Sequence, residues 1–208
     1  MAEEQLEQPE EAEETEETEE TEEEPPRLDP ETAARRQAAL ARIRQWGDPS
    51  LTTPARPVED FDDDLRTEVD EMGQLMRDAL GVGLAATQLG RLRRLLVYRP
   101  GPEADSVALV NPQLEWRGSE EEAAEEGCLS LAGVLVDVER PVYVRVRARD
   151  ARGEPLLIEA SGFEARVIQH EMDHLDGVLI LDRIPRPARK EALRALREAT
   201  LARESRAA

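Results

Sequence analysis

The two histidines of the chain lie four residues apart, and this spacing constrains the local structure more than any other feature. They belong to the run Gln-His-Glu-Met-Asp-His at residues 169–174. Four residues make just over one turn of an α-helix, so His170 and His174 would project from one face and could share a metal ion. Glu171 would lie close enough to reach a water on that ion without binding the ion itself. The alternative is a chance histidine pair on a solvated helix face.

A catalytic site of the zinc type normally has three protein ligands, so a third ligand must come from elsewhere. One large protease class uses a third histidine, but position 180 is Ile and the chain has two His. Cys128, the only cysteine, is one candidate, because a thiolate binds Fe(II) or Zn(II) strongly. Glu191 or Glu198 could instead complete a protease site. Cys128 could also be a small buried residue or a nucleophile paired with a histidine.

A glycine-rich segment, Gly-Val-Gly-Leu-Ala-Ala-Thr-Gln at 81–88, is the third feature of interest. Small residues let a ligand approach the backbone closely, and Gln88 could donate its side-chain amide to an oxygen. Tight helix packing is the alternative. The segment is not a phosphate-binding loop, because no Lys follows and the predicted helix precedes the glycines.

Helical patterns flank a middle that is rich in short strand-like runs. Helices are predicted from Asp29-Pro30 to Trp46, over 62–80, over 163–175 and over 188–203. The second helix has a predicted buried stripe of Leu65, Val69, Met72, Leu75, Met76 and Leu80, with Gly81 as its left-handed cap. Strands are predicted over 95–98, 107–111, 135–139, 142–149 and 155–160. This order predicts an α+β fold, with short antiparallel strands around a central metal-binding helix and flanking N- and C-terminal helices.

The negative charge is concentrated at the N-terminus. Residues 1–26 hold fourteen Glu and neither Lys nor Arg, so they carry −14 of the formal charge of −20. Like charges at this density repel, and few apolar side chains offset the entropy of ordering, so a disordered tail is predicted. It would act as a solubilising segment or contact a basic partner. The rest divides into a catalytic domain at 27–187 and a basic C-terminal helix at 188–208.

The sequence predicts a cytoplasmic protein without a membrane partner. No stretch approaches the roughly 20 apolar residues that span a bilayer. The acidic N-terminus is unlike a signal or transit peptide. A single cysteine cannot form an intrachain disulfide, which fits a reducing compartment.

Three segments together resemble the peptide deformylase family. Its members carry Gly-x-Gly-x-Ala-Ala-x-Gln, Glu-Gly-Cys-x-Ser and Gln-His-Glu-x-Asp-His in this order. The chain has these motifs at 81–88, 126–130 and 169–174, and they include both histidines and the cysteine. The resemblance spans residues 43–185. It implies a metal-dependent hydrolase that removes the formyl group from the N-terminal methionine of new polypeptides and releases formate.

The resemblance also implies a role for each metal-site residue. Cys128, His170 and His174 would hold one divalent metal, usually Fe(II), although Zn(II), Ni(II) and Co(II) accept the same ligands. Water in the fourth position would be the nucleophile. Glu171 would act as general base and then as general acid.

Further residues are implied in the oxyanion site and in substrate binding. The side-chain amide of Gln88 and the backbone N–H of Leu129 would stabilise the oxyanion. The backbone at Val82 and Gly83 would pair with the extended N-formylmethionyl peptide. The candidate walls of the methionine pocket are Phe163 and Val167, for which plain core packing is the alternative. A pairing of Glu126 with Arg140 is also predicted behind the metal site.

The chain departs from the family pattern after the cysteine motif. Ala132 and Leu135 stand where many members have Pro and Arg, which leaves open how the peptide is held beyond methionine. A non-catalytic relative that binds metal or formylated N-termini is a further alternative. It is disfavoured because Glu171 is retained beside the full set of metal ligands.

The C-terminal helix has two interpretations. It holds seven basic and three acidic residues between 186 and 206, and its basic face could contact ribosomal RNA near the exit tunnel. Alternatively, it packs an apolar face on the domain, formed by Leu193, Leu196 and Leu201. The acidic tail opposes indiscriminate nucleic-acid binding, so no stable nucleic-acid complex is expected.

Overall fold

The computed structural model describes residues 28–101 and 104–207 and has the predicted α+β fold. The acidic segment 1–26, for which disorder was predicted, lies outside the described residues. Within the described part of the chain, no helix combines the length and the apolar character needed to cross a membrane.

In the part of the chain that the structure describes, seven strands form two antiparallel sheets. The larger sheet has five strands in the order β1-β2-β3-β6-β7, and the smaller is the hairpin β4–β5. Their bounds are β1 Gly83–Ala85, β2 Leu95–Tyr98, β3 Val107–Arg117, β4 Glu121–Gly127, β5 Leu135–Pro141, β6 Tyr143–Arg149 and β7 Pro155–Ser161. Of the strands that the structure describes, only β2 pairs with β1, so β1 forms one edge of the larger sheet.

The described residues also contain five α-helices and two short 3-10 segments. The helices are α1 Pro30–Leu40, α2 Asp63–Asp78, α3 Gly162–Leu175, α4 Ile180–Arg183 and α5 Arg186–Ala207. The 3-10 segments cover Pro49–Thr52 and Ala86–Leu89. Aspartates cap the first two helices, because Asp29 and Asp62 accept backbone N–H groups of the first turn at 3.0 and 2.9 Å.

The first helix is shorter than predicted, since α1 ends at Leu40 rather than at Trp46. Two backbone hydrogen bonds hold the following residues in another conformation. The N–H of Arg44 donates to Gln88 at 2.7 Å, and that of Trp46 donates to Ser130 at 3.0 Å. The chain therefore leaves the helix to form the backbone contacts that support the candidate site.

The end of α2 differs from the prediction in its cap. Leu80, not Gly81, has the left-handed conformation, with φ of 59°, and its side chain is 49% exposed instead of buried. The N–H of Gly81 donates to Met76 at 2.9 Å, as in a Schellman ending. Gly81 is needed for a different reason, because a Cβ there would lie 2.9 Å from Leu129 Cδ1. Val69, also predicted to be buried, is partly buried.

Helix α3 is central to the fold. It packs against strands of both sheets, including β1, β2 and β5, and buries Ala165, Ile168 and Leu175. The same helix carries both histidines and Glu171. Because its apolar face is fixed in the core, the polar face is held in one orientation toward the end of the hairpin β4–β5.

Helix α5 packs on the domain through part of the predicted apolar face. Leu196 is buried in a cluster with Val138, and Leu193 is partly buried against the same cluster. Leu201 is 65% exposed, so its predicted packing is wrong. Glu191 and Glu198 lie exposed on this helix.

Candidate active site

The three predicted metal ligands come together at one point. The ligand atoms of Cys128, His170 and His174 all lie within 4.8 Å of one another. Cys128 Sγ is 3.2 Å from Nε2 of His174. Two ligands of one tetrahedral ion, with bonds of about 2.0–2.3 Å, lie about 3.3–3.8 Å apart. The cluster therefore has the size and the donor types that suit a single divalent ion.

The cysteine has the electrostatic environment of a metal ligand. Burial would raise the pKa of the Cys128 thiol, but His174 and His170 outweigh this effect and hold the pKa well below its ordinary value. The thiolate is the form that binds a divalent metal. Cys128 directly follows β4, and α3 supplies the histidines, so the site joins the hairpin to the central helix.

A buried carboxylate fixes the orientation of one histidine. Glu126 Oε2 lies 2.9 Å from Nδ1 of His170, which leaves Nε2 of that ring as the atom for a metal. Burial would raise the pKa of Glu126, but hydrogen bonds from His170 and Arg140 lower it to about 2. Glu126 is therefore an anion that fixes the orientation of the His170 imidazole.

The predicted pairing of Glu126 with Arg140 is present. Arg140 Nε and Nη2 donate to the two carboxylate oxygens at 2.5 and 2.9 Å. Its Nη1 donates to Asp173 Oδ2 at 2.9 Å, and Arg183 also contacts Asp173. Arg166 Nη1 donates to Glu126 at 2.9 Å and to Val138 O at 2.7 Å. This buried charge network ties the histidine helix to the hairpin that positions Cys128.

Replacing Arg140 by Ala should destabilise the fold strongly, because two buried carboxylates would lose a charged partner. We expect the free energy of unfolding to fall by about 3 kcal/mol. The matched control is Arg145→Ala, which breaks an exposed pair with Glu159 and should cost about 1 kcal/mol or less. Urea unfolding of both variants measures the difference. Equal losses would show that the buried network has no special contribution to stability.

Glu171 lies buried next to the glycine of β1. Its side chain is within van der Waals contact of Gly83, where an added Cβ would lie 2.8 Å from Glu171 Cδ. Among the described residues, Glu171 Oε2 has no hydrogen-bond partner. Burial raises the pKa of this carboxyl, against the opposing effect of the two histidines. A buried carboxylate with an open acceptor and a raised pKa suits proton transfer.

Replacing Gly83 by Ala should displace the Glu171 carboxylate while leaving the metal ligands in place. A displacement of about 1 Å can lower a rate about 100-fold, and we expect a loss of this size in kcat/KM. Gly101→Ala is the matched control, because a Cβ there meets no atom within 4 Å. Steady-state kinetics with metal content measured on each variant provides the test. Full activity of Gly83→Ala would contradict the close packing of these two residues.

Gln88 is held with its amide facing the cysteine. Its Oε1 accepts the N–H of Ala85 at 2.9 Å, which assigns the amide nitrogen to the other side. Nε2 lies 3.1 Å from Ser130 Oγ and 3.8 Å from Cys128 Sγ. Gln88 is 1% exposed, so its orientation is fixed by these contacts.

Leu129 presents its backbone beside the same point. Its N–H belongs to the peptide unit shared with Cys128, and the Cys128 carbonyl accepts the N–H of Leu131 at 3.0 Å, which fixes the orientation of that unit. Among the described residues, its own N–H takes part in no hydrogen bond. This N–H is therefore a donor that remains for a ligand.

A cleft of about 550 Å³ gives access to these groups. Nine of the ten predicted site residues line it: Val82, Gly83, Gln88, Cys128, Leu129, Phe163, Val167, His170 and Glu171. His174 is 1% exposed and does not line the cleft. Val167 is a buried part of the wall, whereas Phe163 is 60% exposed. Leu135, where many family members have Arg, also lines the cleft and is 62% exposed.

Sequence reasoning missed three residues of the site. Ser130 contacts the Gln88 amide, Asp173 binds two arginines, and Arg166 joins α3 to the hairpin. Ser130 and Asp173 are parts of the motifs at 126–130 and 169–174, so the motifs themselves carried the signal. Arg166 had no comparable signal, because its partners include backbone carbonyls of the hairpin.

Comparisons with known proteins identify the family. A sequence model of the polypeptide deformylase family matches residues 40–190. A peptide deformylase of Parafrankia sp. is 45% identical over 163 residues, which cover 78% of this chain and 88% of the relative. The structure of a peptide deformylase from Legionella pneumophila has a TM-score of 0.74 and 37% identity, covering 78% of this chain and 96% of that chain.

A second solved structure agrees with this match. It is a peptide deformylase from Synechococcus elongatus in complex with actinonin, with a TM-score of 0.70 and 43% identity, covering 73% of this chain and 84% of that chain. The family model covers all three motifs, and the curated relative and both structures each match most of the chain. The chain belongs to the polypeptide deformylase family.

Proposed function

We propose that the chain hydrolyses the formyl amide of N-formylmethionyl polypeptides and releases formate. The observation that carries this proposal is the Cys128–His170–His174 cluster with the buried carboxylate of Glu171 at the same cleft. Family membership gives the reaction, and the cleft has the groups that such a hydrolysis requires. Because formylated N-termini arise where polypeptides are synthesised, the proposed location is the cytoplasm.

The cluster would hold one divalent metal ion, for which Fe(II) is our proposal. Two imidazoles and a thiolate suit Fe(II), and they would also accept Zn(II), Ni(II) or Co(II). Bound there, the ion would supply Lewis acidity that lowers the pKa of a water molecule to near neutrality. Glu126 would keep His170 oriented for this purpose through the bond to Nδ1.

Glu171 would move the protons. It accepts a proton from the attacking water and passes one to the amine that leaves when the C–N bond breaks. Two features support this role: burial raises the pKa of its carboxyl, and Oε2 has no competing partner among the described residues. The contact with Gly83 holds the carboxylate at the floor of the cleft.

Gln88 and Leu129 would donate hydrogen bonds that stabilise the negative charge developing on the formyl oxygen. The amide nitrogen of Gln88 faces Cys128, and the N–H of Leu129 comes from the adjacent peptide unit. Both donors are oriented before substrate arrives. The Ala85 N–H holds the Gln88 amide, and the Leu131 N–H holds the peptide unit between Cys128 and Leu129. Preoriented donors of this kind contribute on the order of 100-fold each to a rate.

The peptide would add to the sheet as a further strand. Strand β1 is an edge strand that lines the cleft, and Val82 is 39% exposed directly before it. Main-chain pairing with Val82 and Gly83 would hold an extended peptide whatever its sequence. The methionine side chain would then lie near Val167, with Phe163 at the exposed rim.

The positions of the candidate acidic ligands disfavour the alternative hypothesis of a metalloprotease. Its candidate acidic ligands, Glu191 and Glu198, are exposed on α5 and do not line the cleft. The deciding experiment compares formate release from an N-formylmethionyl tripeptide with cleavage of casein by metal-loaded protein. Formate release without casein cleavage supports the proposal. Casein cleavage without formate release would replace it by the protease.

Ribosome contact through α5 is a separate part of the proposal. Arg186, Lys190 and Arg197 are exposed on this helix, while Ala192 and Leu196 are buried and hold it on the domain. We expect Lys190→Gln combined with Arg197→Gln to lower co-sedimentation with ribosomes at low salt, because fewer phosphate contacts can form. Arg152→Gln, on the exposed turn before β7, is the control. Unchanged co-sedimentation of the double variant would exclude this face.

A further inference from the structure

The cleft that gives access to Cys128 and His170 adjoins a groove along α1. This groove has a volume of about 510 Å³ and lies next to the segment that follows α1. Arg36, Leu40 and Leu129 line both the cleft and the groove. Leu129 is the residue whose N–H faces the formyl site in the proposed function. A peptide that is anchored at the metal can therefore pass from the cleft into the groove without leaving a continuous surface.

Arg36 is the charged group at this junction. It is exposed on α1, and among the described residues no carboxylate forms an ion pair with it. The other arginine lining the cleft, Arg166, is bound to Glu126 and to backbone carbonyls. Glu125 lines the cleft from β4 but does not line the groove. The groove along α1 thus presents a cation, with apolar contact from Leu40.

We infer that this groove binds the residues downstream of the formylated methionine, and that Arg36 selects for acidic side chains there. The inference rests on the proposed function. In an extended peptide each residue advances about 3.3 Å, so the third and fourth residues lie beyond Leu129 when methionine is anchored near the metal. A carboxylate at those positions meets the guanidinium of Arg36, and an ammonium is repelled by it.

The test compares two peptides that differ in downstream charge. Formyl-Met-Ala-Glu-Glu-amide and formyl-Met-Ala-Lys-Lys-amide are hydrolysed by metal-loaded protein at low ionic strength, and kcat/KM is measured for each. The variants are Arg36→Glu and its neighbour Arg35→Glu, which makes the same change in net charge. Arg35 is exposed on α1, donates to Thr32, and does not line the cleft or the groove.

The expected result is a change in the ratio of kcat/KM for the Glu peptide to that for the Lys peptide. Arg36→Glu should lower this ratio about fivefold, and Arg35→Glu should change it less than about twofold, because the first alters a local contact. The difference should shrink in high salt. Circular dichroism verifies that both variants are folded.

Three outcomes would overturn the inference. Equal ratios for the two variants would show that only net charge matters. A rise in kcat/KM of both peptides with Arg36→Glu would place the acidic segment 1–26 in the groove instead. Absence of formate release from either peptide with wild-type protein would remove the proposed function itself, and the inference with it.

Discussion

Replacing Glu171 by Gln is expected to lower kcat/KM for formate release by about 1,000-fold. Gln has nearly the same size and can keep the contact with Gly83, but it cannot accept a proton from water. General acid–base groups typically raise a reaction rate 10²–10⁴-fold, and Glu171 would act first as the base and then as the acid. The buried carboxylate lacks a hydrogen-bond partner for Oε2 among the described residues, so its loss should not lower the melting temperature.

Two further measurements separate this effect from loss of metal or of fold. Metal content of Glu171→Gln should stay at one ion per chain, because Glu171 is outside the ligand cluster. Glu191→Gln is the matched control, since Glu191 is exposed on α5 and should leave the rate unchanged. A Glu171→Gln variant that retains metal and full activity would require another general base.

Replacing Cys128 by Ser is expected to abolish metal binding at micromolar metal and to lower kcat/KM at least about 100-fold. A serine hydroxyl stays protonated near neutral pH and is a poor ligand for Fe(II) or Zn(II) compared with a thiolate. The substitution is small, and Cys128 is only partly buried, so the fold should be retained. Metal analysis after gel filtration and formate release provide the measurements.

The comparison for this variant is wild-type protein from which a chelator has removed the metal. Both should show the same residual rate and similar circular dichroism spectra. Full metal content and full activity of Cys128→Ser would contradict the ligand set. It would instead favour a metal site in which a downstream acidic residue is the third ligand.

The proximity of the two histidines in the candidate metal cluster was predictable, because a local pattern determines it. The spacing of His170 and His174 requires a helix if both are to face one ion, and α3 provides that helix. Cys128 was one of several candidates until family resemblance selected it, and the structure brings it within 3.2 Å of His174. The sequence alone supported Gln88 less than Cys128. The orientation of the Gln88 side chain depends on contacts with Ala85 and Ser130 that only the fold creates.

The acidic run at 120–125 shows why part of the fold could not be predicted. These six consecutive charged or small residues have low β-propensity, yet β4 covers Glu121–Gly127. Its whole length pairs with β5, and Arg166 donates to backbone carbonyls of Glu122 and Ala124. These contacts come from distant parts of the chain, so no local pattern contains them.

The end of α1 and the groove beside it also depend on contacts with distant parts of the chain. Arg44 and Trp46 leave the helix because their N–H groups bond to Gln88 and Ser130. Only the assembled fold reveals that α1 then lines the cleft through Arg36 and Leu40. The packing role of Gly83 could not be predicted either. A side chain is excluded at this position because Glu171, on α3, occupies the space where a Cβ would lie.

The most direct test of the central claim is an anaerobic titration of metal-free wild-type protein with Fe(II), followed by formate release from an N-formylmethionyl tripeptide. One site formed by Cys128, His170 and His174 predicts activity that rises in proportion to bound metal and levels off at one ion per chain. It also predicts that Cys128→Ser stays inactive throughout. Formate release that does not depend on metal, or no release from protein with a full site, would contradict the account.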